Sequence, residues 1–310
     1  MNHPPARSLR ELLRPVTLVD ASRLSRRFGA RVALASETFQ HTGSFKFRAA
    51  CNVVLRVPQR RVIAASSGNF GQALAYACLL LDKSCVVVMP ENSAQVKVAA
   101  VREFGGIVDL IDTRTKSRKA RVEELARKDP DAYVASAYDD PFVIEGNATL
   151  GEELASLDQP LDFILAPVGG GGLTAGLIQG LRTAGSATPV MGVEPVLAND
   201  AARSLAAGRI MVNDTEPQTI ADGVRTVSLG EHNWRVLREG LSGIVEVTEE
   251  QIMEAVRLLF SLANLKAEPT GALGVAALLA RPDLFRDRSV CCVVSGGNVD
   301  PSMFRNLLEG

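Results

Sequence analysis

The residues best suited to chemistry fall in four short segments. Lys46 heads an apolar, helix-forming run, FKFRAACNVVLRV. An ammonium buried there would lose hydration and its pKa would fall, which suits a lysine that captures a carbonyl compound as a Schiff base. For an isolated lysine the plainer reading is a stem lying on apolar surface with its charged head in water. The second segment, Ala65-Ser66-Ser67-Gly68-Asn69-Phe70-Gly71, falls between a strand-like run and a helical one. Small hydroxyls, an amide and glycines at a helix N-terminus form a cradle for a carboxylate, and Ser67 or Asn69 would serve equally as an ordinary N-cap.

Four consecutive glycines, Gly169, Gly170, Gly171 and Gly172, follow the run FILAPV and precede Leu173 and a helix. They cost backbone entropy, but without side chains their amides can converge on an anion where the helix dipole favours negative charge. The spacing Gly170-x-Gly172-x-x-Ala175 also fits a dinucleotide fingerprint, with Glu194 ending the next strand where a ribose-binding acid would stand. This segment alone leaves a nicotinamide dinucleotide and another phosphorylated cofactor both open. The fourth segment, Ser295-Gly-Gly-Asn-Val-Asp300, ends the run VCCVV and offers a hydroxyl to a ring nitrogen.

Alternating short β-branched runs and amphipathic stretches must position these segments. Strands are predicted at Val62–Ser66, Cys85–Met89, Ile107–Ile111, Tyr133–Ser136, Phe163–Val168, Val190–Glu194, Val245–Val247 and Val290–Ser295. Helices are predicted at Gly71–Leu81, Ala94–Phe104, Lys116–Lys128, Leu173–Thr183 and Glu249–Leu262. Continuous apolar strands between helices imply an α/β protein with parallel sheet covered on both faces, whose ligands bind beyond the strands' C-terminal ends. The chain has 310 residues, longer than single cores usually grow, so two lobes are expected. Loops at Pro58–Arg61 and Asp139–Pro141 suggest a small domain over residues 53–141 and a discontinuous large domain over 1–52 and 142–310.

Composition excludes several classes. With 46% hydrophobic and 22% charged residues the chain is neither disordered nor fibrous, and a net charge of −1 makes no electrostatic bid for nucleic acid or anionic membrane. Five cysteines without C-x-x-C spacing read as buried free thiols, all but Cys51 among apolar neighbours, and three histidines without clustering argue against catalytic zinc. With no signal-peptide core and no 18-residue apolar run, a cytoplasmic protein is expected.

The segments ETFQHTGSFKFRAA, SSGNFGQALAYA, PVGGGGLTAG, GVEPVLAND, TIADGV, EPTGALGVAA and VVSGGNVD, in this order, resemble the fold-type II pyridoxal-phosphate enzymes, and within them the serine racemase and serine/threonine dehydratase branch. The likeness runs from about Pro15 to Asp300 and leaves the nicotinamide alternative without a role for the lysine or the serine motifs. It implies a tryptophan synthase β-like fold, two lobes each with a mostly parallel open sheet flanked by helices. It makes Lys46 the Schiff-base lysine of pyridoxal 5′-phosphate, packs Phe45 near the ring and sets Asn69 at the 3-hydroxyl. Gly169–Gly172 and Leu173 would hold the phosphate, and Ser295 would face the pyridine nitrogen. Ser67 would be the second acid/base on the face opposite the lysine, while Ser66, Ser67, Asn69 and Arg118 would bind substrate. GVEPVLAND resembles a divalent-metal site with Glu194, the Ala198 carbonyl and Asp200 as ligands, an oxygen set suited to Mg²⁺ or Ca²⁺; a solvated acidic loop is the plainer reading.

The resemblance implies β-elimination of serine, threonine or a related 3-hydroxy amino acid to a 2-oxo acid and ammonia, with serine racemisation as an added activity. Racemisation as the main activity, cysteine synthase-like β-replacement and a catalytically silent cofactor-binding protein are the alternatives. A homodimer acting on a small amino acid is implied as well. Four positions depart from the branch: Phe70 stands for the usual His of SSGNH, Ala49 for the Gly of KxRGA and His41 for a Lys of nucleotide-activated racemases, and Glu145-Gly-Asn-Ala-Thr149 for AGQGT. No regulatory domain is expected after SGGNVD.

Overall fold

The computed structural model describes residues 8–66, 68–93 and 95–309. Among the described residues ten strands form two sheets: β1 (Thr17–Asp20), β2 (Arg31–Ser36), β3 (Arg61–Ala65), β4 (Ser84–Pro90), β5 (Ile107–Ile111), β6 (Tyr133–Ala135), β7 (Phe163–Pro167), β8 (Val190–Pro195), β9 (Leu241–Val247) and β10 (Ser289–Val294). The six-stranded sheet has the order β1-β2-β10-β7-β8-β9 and the four-stranded sheet the order β5-β4-β3-β6. Every pairing is parallel except β1 with β2. The chain is thus an α/β protein with two open, mostly parallel sheets flanked by helices. The smaller sheet and its helices make one lobe; the larger sheet makes the other.

β8 is buried at all six residues and β10 at five of six, as strands covered on both faces must be. β1 and β2 have no counterpart among the predicted strands. β1 has four residues with every second one exposed, and β2 is diluted by alanine, so neither shows the β-branched apolar run that marks the others. All five cysteines are free and buried, Cys51 included, against its reading as the one without apolar surroundings.

The strand order creates the site. β10, last in sequence, is inserted between β2 and β7, with Val294 level with Ser36 and Cys292 level with Leu165. The loops leaving β2, β10 and β7 therefore emerge side by side, at the crevice where strand order reverses. These loops carry Lys46, Ser295 and the four glycines. The loop leaving β3 brings Ser66, Gly68 and Asn69 from the other lobe.

Candidate active site

Lys46 is the first residue of the helix Lys46–Arg56. The turn before it is stitched to the end of β10: the Phe45 amide donates to the Ser295 carbonyl at 3.0 Å, and Ser44 bridges Gly296. Two residues into the helix, Arg48 is wholly buried and spends all five N–H donors, with two bonds to Glu37, two to Glu153 and one to Thr149 Oγ1. This clamp ties the head of the lysine helix to the end of β2 and to the helix Pro141–Ala155. Lys46 Nζ donates to the Ala137 carbonyl at 2.7 Å and lies 5.0 Å from the Phe45 ring centre and 5.9 Å from that of Phe70. Burial pulls its pKa down to about 8, against the opposing charge of Glu268. The ammonium is thus a perturbed one rather than a snorkelling surface lysine.

The glycine turn is built by close approach. Gly171 has φ +91°, and a Cβ on Gly170 would enter the ring of Tyr138 while one on Gly172 would come within 2.7 Å of the Tyr138 carbonyl. Two buried asparagines hold the carbonyls: Asn233 Nδ2 donates to Gly170 at 2.6 Å and Asn147 Nδ2 to Gly172 at 3.0 Å. In a planar trans peptide the N–H points opposite to the C=O. The Gly171 and Leu173 amides are therefore turned away from those asparagines, at the head of the helix Gly172–Thr183, whose first N–H groups have no intrahelical partner. That arrangement can take an anion.

Ser295 is 1% exposed and its Oγ has no hydrogen-bond partner, as is true of the neighbouring Ser44 Oγ and Thr42 Oγ1. A buried hydroxyl of this kind calls for a group still to come. Asn69 opens the helix Asn69–Leu80, donates to Glu268 Oε1 at 2.8 Å and accepts from Asn298 Nδ2 at 2.8 Å. Near the head of that helix Ser66 Oγ accepts the Gly68 and Gly71 amides, while Asn69, one of the two expected caps, is its first helical residue. Ser67 lies outside the described residues.

Lys46, Phe45, Asn69, Ser295 and the glycine turn are thus gathered around one crevice. Arg118 stands at the head of the helix Arg118–Lys128, where it pairs with Glu216 at 3.4 Å and, with the Asn69 partners Glu268 and Asn298, lines a cleft of about 600 Å³ between the lobes. Glu268, also on that cleft, is marked by no local pattern of its own, although it stands in the EPTGA segment. It is buried, and burial with the nearby charge of Asp222 raises its carboxyl to about 8. Arg48, Asn147, Asn233 and Tyr138 also escape a reading of the sequence, since each acts through a partner distant along the chain.

At the acidic loop, Glu194 accepts the Ala201 amide at 3.0 Å and the Ala202 amide at 2.8 Å, so it caps a helix. Asp200 Oδ1 accepts from Asn213, its Oδ2 is buried without a partner, and burial lifts its carboxyl to about 6. Ala198, in the turn between them, is buried. Among the described residues no group of three or more His, Cys, Asp and Glu is placed to hold a metal. Any cation here would rest on two carboxylates and a backbone carbonyl.

Comparison with known proteins bears on the family and the fold. Residues 9–296 match the family described as "Pyridoxal-phosphate dependent enzyme". The chain is 38% identical to an L-threo-3-hydroxyaspartate ammonia-lyase of Pseudomonas sp, over 91% of this chain and 89% of the relative. It is 32% identical to a serine racemase of Schizosaccharomyces pombe, over 94% of this chain and 91% of the relative. Among solved structures, a threonine deaminase of T.th. superposes with a TM-score of 0.84 at 40% identity, covering 92% of both chains.

Proposed function

We propose that this chain, which belongs to the pyridoxal-phosphate dependent enzyme family, is an ammonia-lyase that converts a small 3-hydroxy amino acid to a 2-oxo acid and ammonia. The observation that carries this reading is the buried, unpartnered Ser295 hydroxyl on the loop bonded to Phe45, beside a lysine whose pKa falls to about 8. The residues fit the cofactor: Lys46 would hold its aldehyde carbon, Ser295 its ring nitrogen, Asn69 its 3-hydroxyl, and Gly169–Gly172 with Leu173 its phosphate. When bound, pyridoxal 5′-phosphate supplies an electron sink for the charge released at the substrate Cα.

The protein's own groups do the remainder. Lys46, with its lowered pKa, is the base that takes the Cα proton once its amine is free. Ser66, Ser67 and Asn69 orient the substrate carboxylate. Ser295 is neutral, and a hydroxyl supports negative charge at Cα less than a carboxylate partner of the ring nitrogen would. That favours prompt loss of the β-hydroxyl over a long-lived carbanion. Water lost in elimination is regained when the resulting enamine hydrolyses, so serine balances against pyruvate and ammonium. Ser67 would return the Cα proton from the opposite face; the likeness to serine racemases favours racemisation as a second activity.

An Mg²⁺ or Ca²⁺ would sit at Asp200 Oδ2, completed by Glu194 and the Ala198 carbonyl, as a structural ion with no part in the proton transfers. The same reading makes the protein a cytoplasmic homodimer with no nucleic-acid or membrane partner. Among the described residues no helix is long and apolar enough to cross a membrane.

The test is a panel of L-serine, L-threonine and L-threo-3-hydroxyaspartate, with 2-oxo acid, ammonia and residual substrate chirality measured together, with and without Mg²⁺. Equal release of 2-oxo acid and ammonia from at least one of them, abolished in Lys46→Ala, is expected. Turnover surviving in Lys46→Ala, or borohydride trapping the cofactor on another residue, refutes the reading.

A further inference from the structure

The cleft between the lobes carries a cation that the reading above does not use. Lys97 rises from the helix Gln95–Glu103 of the smaller lobe, and its Nζ pairs at 2.6 Å with Asp222 of the larger one. The lysine side chain is only 20% exposed. A Cβ built on Gly68 would lie 3.5 Å from that Nζ, and the three atoms nearest it would all belong to Lys97. The ammonium therefore stands beside Gly68, between Ser66 and Asn69 in the chain, where the substrate carboxylate is read to bind. The turn itself brings little charge of its own. Ser66 Oγ accepts two amides there and keeps one O–H to donate, and Phe70 is a buried hydrocarbon ring.

A carboxylate arriving at this turn meets an ammonium already aimed at it by another carboxylate. Hydrogen bonds between ions are about twice as strong as neutral ones, and since Asp222 and the substrate offer the same group, the substrate carboxylate can take its place on the ammonium. We propose that Lys97 is a substrate-binding residue whose ammonium receives the α-carboxylate of the amino acid at the Ser66–Asn69 turn, and that Asp222 holds it over the turn until the substrate displaces it. This rests on the reading of that turn as the carboxylate cradle of an ammonia-lyase. The exchange leaves Lys97 paired at every stage. It also frees Asp222, so binding trades a bond between the lobes for one between the small lobe and the substrate.

The experiment uses the cofactor-loaded enzyme and its Lys97→Met, Lys97→Arg and Asp222→Asn variants, each first checked for cofactor absorbance and far-UV circular dichroism. Glycine, which has the amine and carboxylate but no leaving group, is titrated calorimetrically, and KM and kcat are measured for the best substrate. Lys97→Met should weaken glycine and raise KM by about tenfold to a hundredfold with kcat within about threefold, the loss of one charged contact. Lys97→Arg should recover most of it. Asp222→Asn should tighten glycine by about two- to tenfold, because the competing carboxylate is gone. If both Lys97→Met and Asp222→Asn weaken glycine, or neither shifts it threefold, the pair is only a brace between lobes and the proposal falls. A wild-type holoenzyme that binds glycine yet forms no 2-oxo acid from any 3-hydroxy amino acid would instead refute the ammonia-lyase reading, with the glycine titrations still deciding the role of Lys97.

Discussion

Replacing Arg48 by Met should be among the most damaging single changes in the chain, although Arg48 touches neither cofactor nor substrate in the proposed reaction. Its guanidinium is 0% exposed and faces Glu37, itself 1% exposed, through two bonds of 2.8 Å. Burial already pushes the Glu37 carboxyl up from its ordinary value, and the arginine is the main force holding it down. Removing the arginine strands a buried acid, at a cost of about 3–5 kcal/mol. For 310 residues the unfolding entropy is about 0.65 kcal/mol/K, so Tm should fall by about 5–8 °C in a thermal melt. Glu153 is 27% exposed and can turn to water, so it adds little to the loss. Changing Glu37 to Met as well removes the stranded charge, and the double variant should recover at least half of the lost Tm. Cofactor retention should stay poor in both, because the clamp positions the head of the Lys46 helix. A Tm shift under about 1 °C in Arg48→Met, or a double variant that melts lower than the single one, would refute the argument.

Other consequences are as direct. Gly170→Ala must push a methyl into the Tyr138 ring, so cofactor binding should drop by more than tenfold, read by absorbance after dialysis. Ser295→Ala removes a hydroxyl with no partner in the protein, so the melt of the cofactor-free protein should move by less than about 1 kcal/mol while cofactor affinity falls. The rate at which the cofactor-free protein takes up pyridoxal 5′-phosphate should rise with pH around a midpoint near 8 and be lost in Lys46→Ala, since only the neutral amine attacks. Glu268, raised to about 8 by burial, holds a proton in the folded state that the unfolded chain releases near its ordinary value of 4.5. The folded state then binds more protons, so stability falls as pH climbs from about 4.5 through 8, and Glu268→Gln should flatten that part of a Tm-against-pH curve.

Lys46, the four-glycine turn and Ser295 stood out in the sequence as candidates because the signals that mark them are local, while their roles came from the resemblance. Each sits at a strand–helix junction, where residue type reports directly on what the backbone must do. The run of glycines before an apolar helix, and a lysine at the head of another, need no distant partner to be noticed. The α/β class was legible for a similar reason, since strands such as β8 and β10 are apolar along their whole length. β1 and β2 were not, because β1 is half exposed and β2 alanine-rich, and each is a strand only by virtue of its neighbours.

What only the tertiary structure decided is which of these junctions meet, and what holds them. The insertion of β10 between β2 and β7 brings together loops from residues 37–45, 168–172 and 295–298, and no local pattern encodes that order. The same is true of charge. Lys97 and Asp222 are 125 residues apart and Arg48 and Glu153 are 105 apart, yet each pair is in contact. A charged residue in a sequence looks solvated by default, because desolvation and its repayment depend on groups that only the folded chain sets at hydrogen-bond distance.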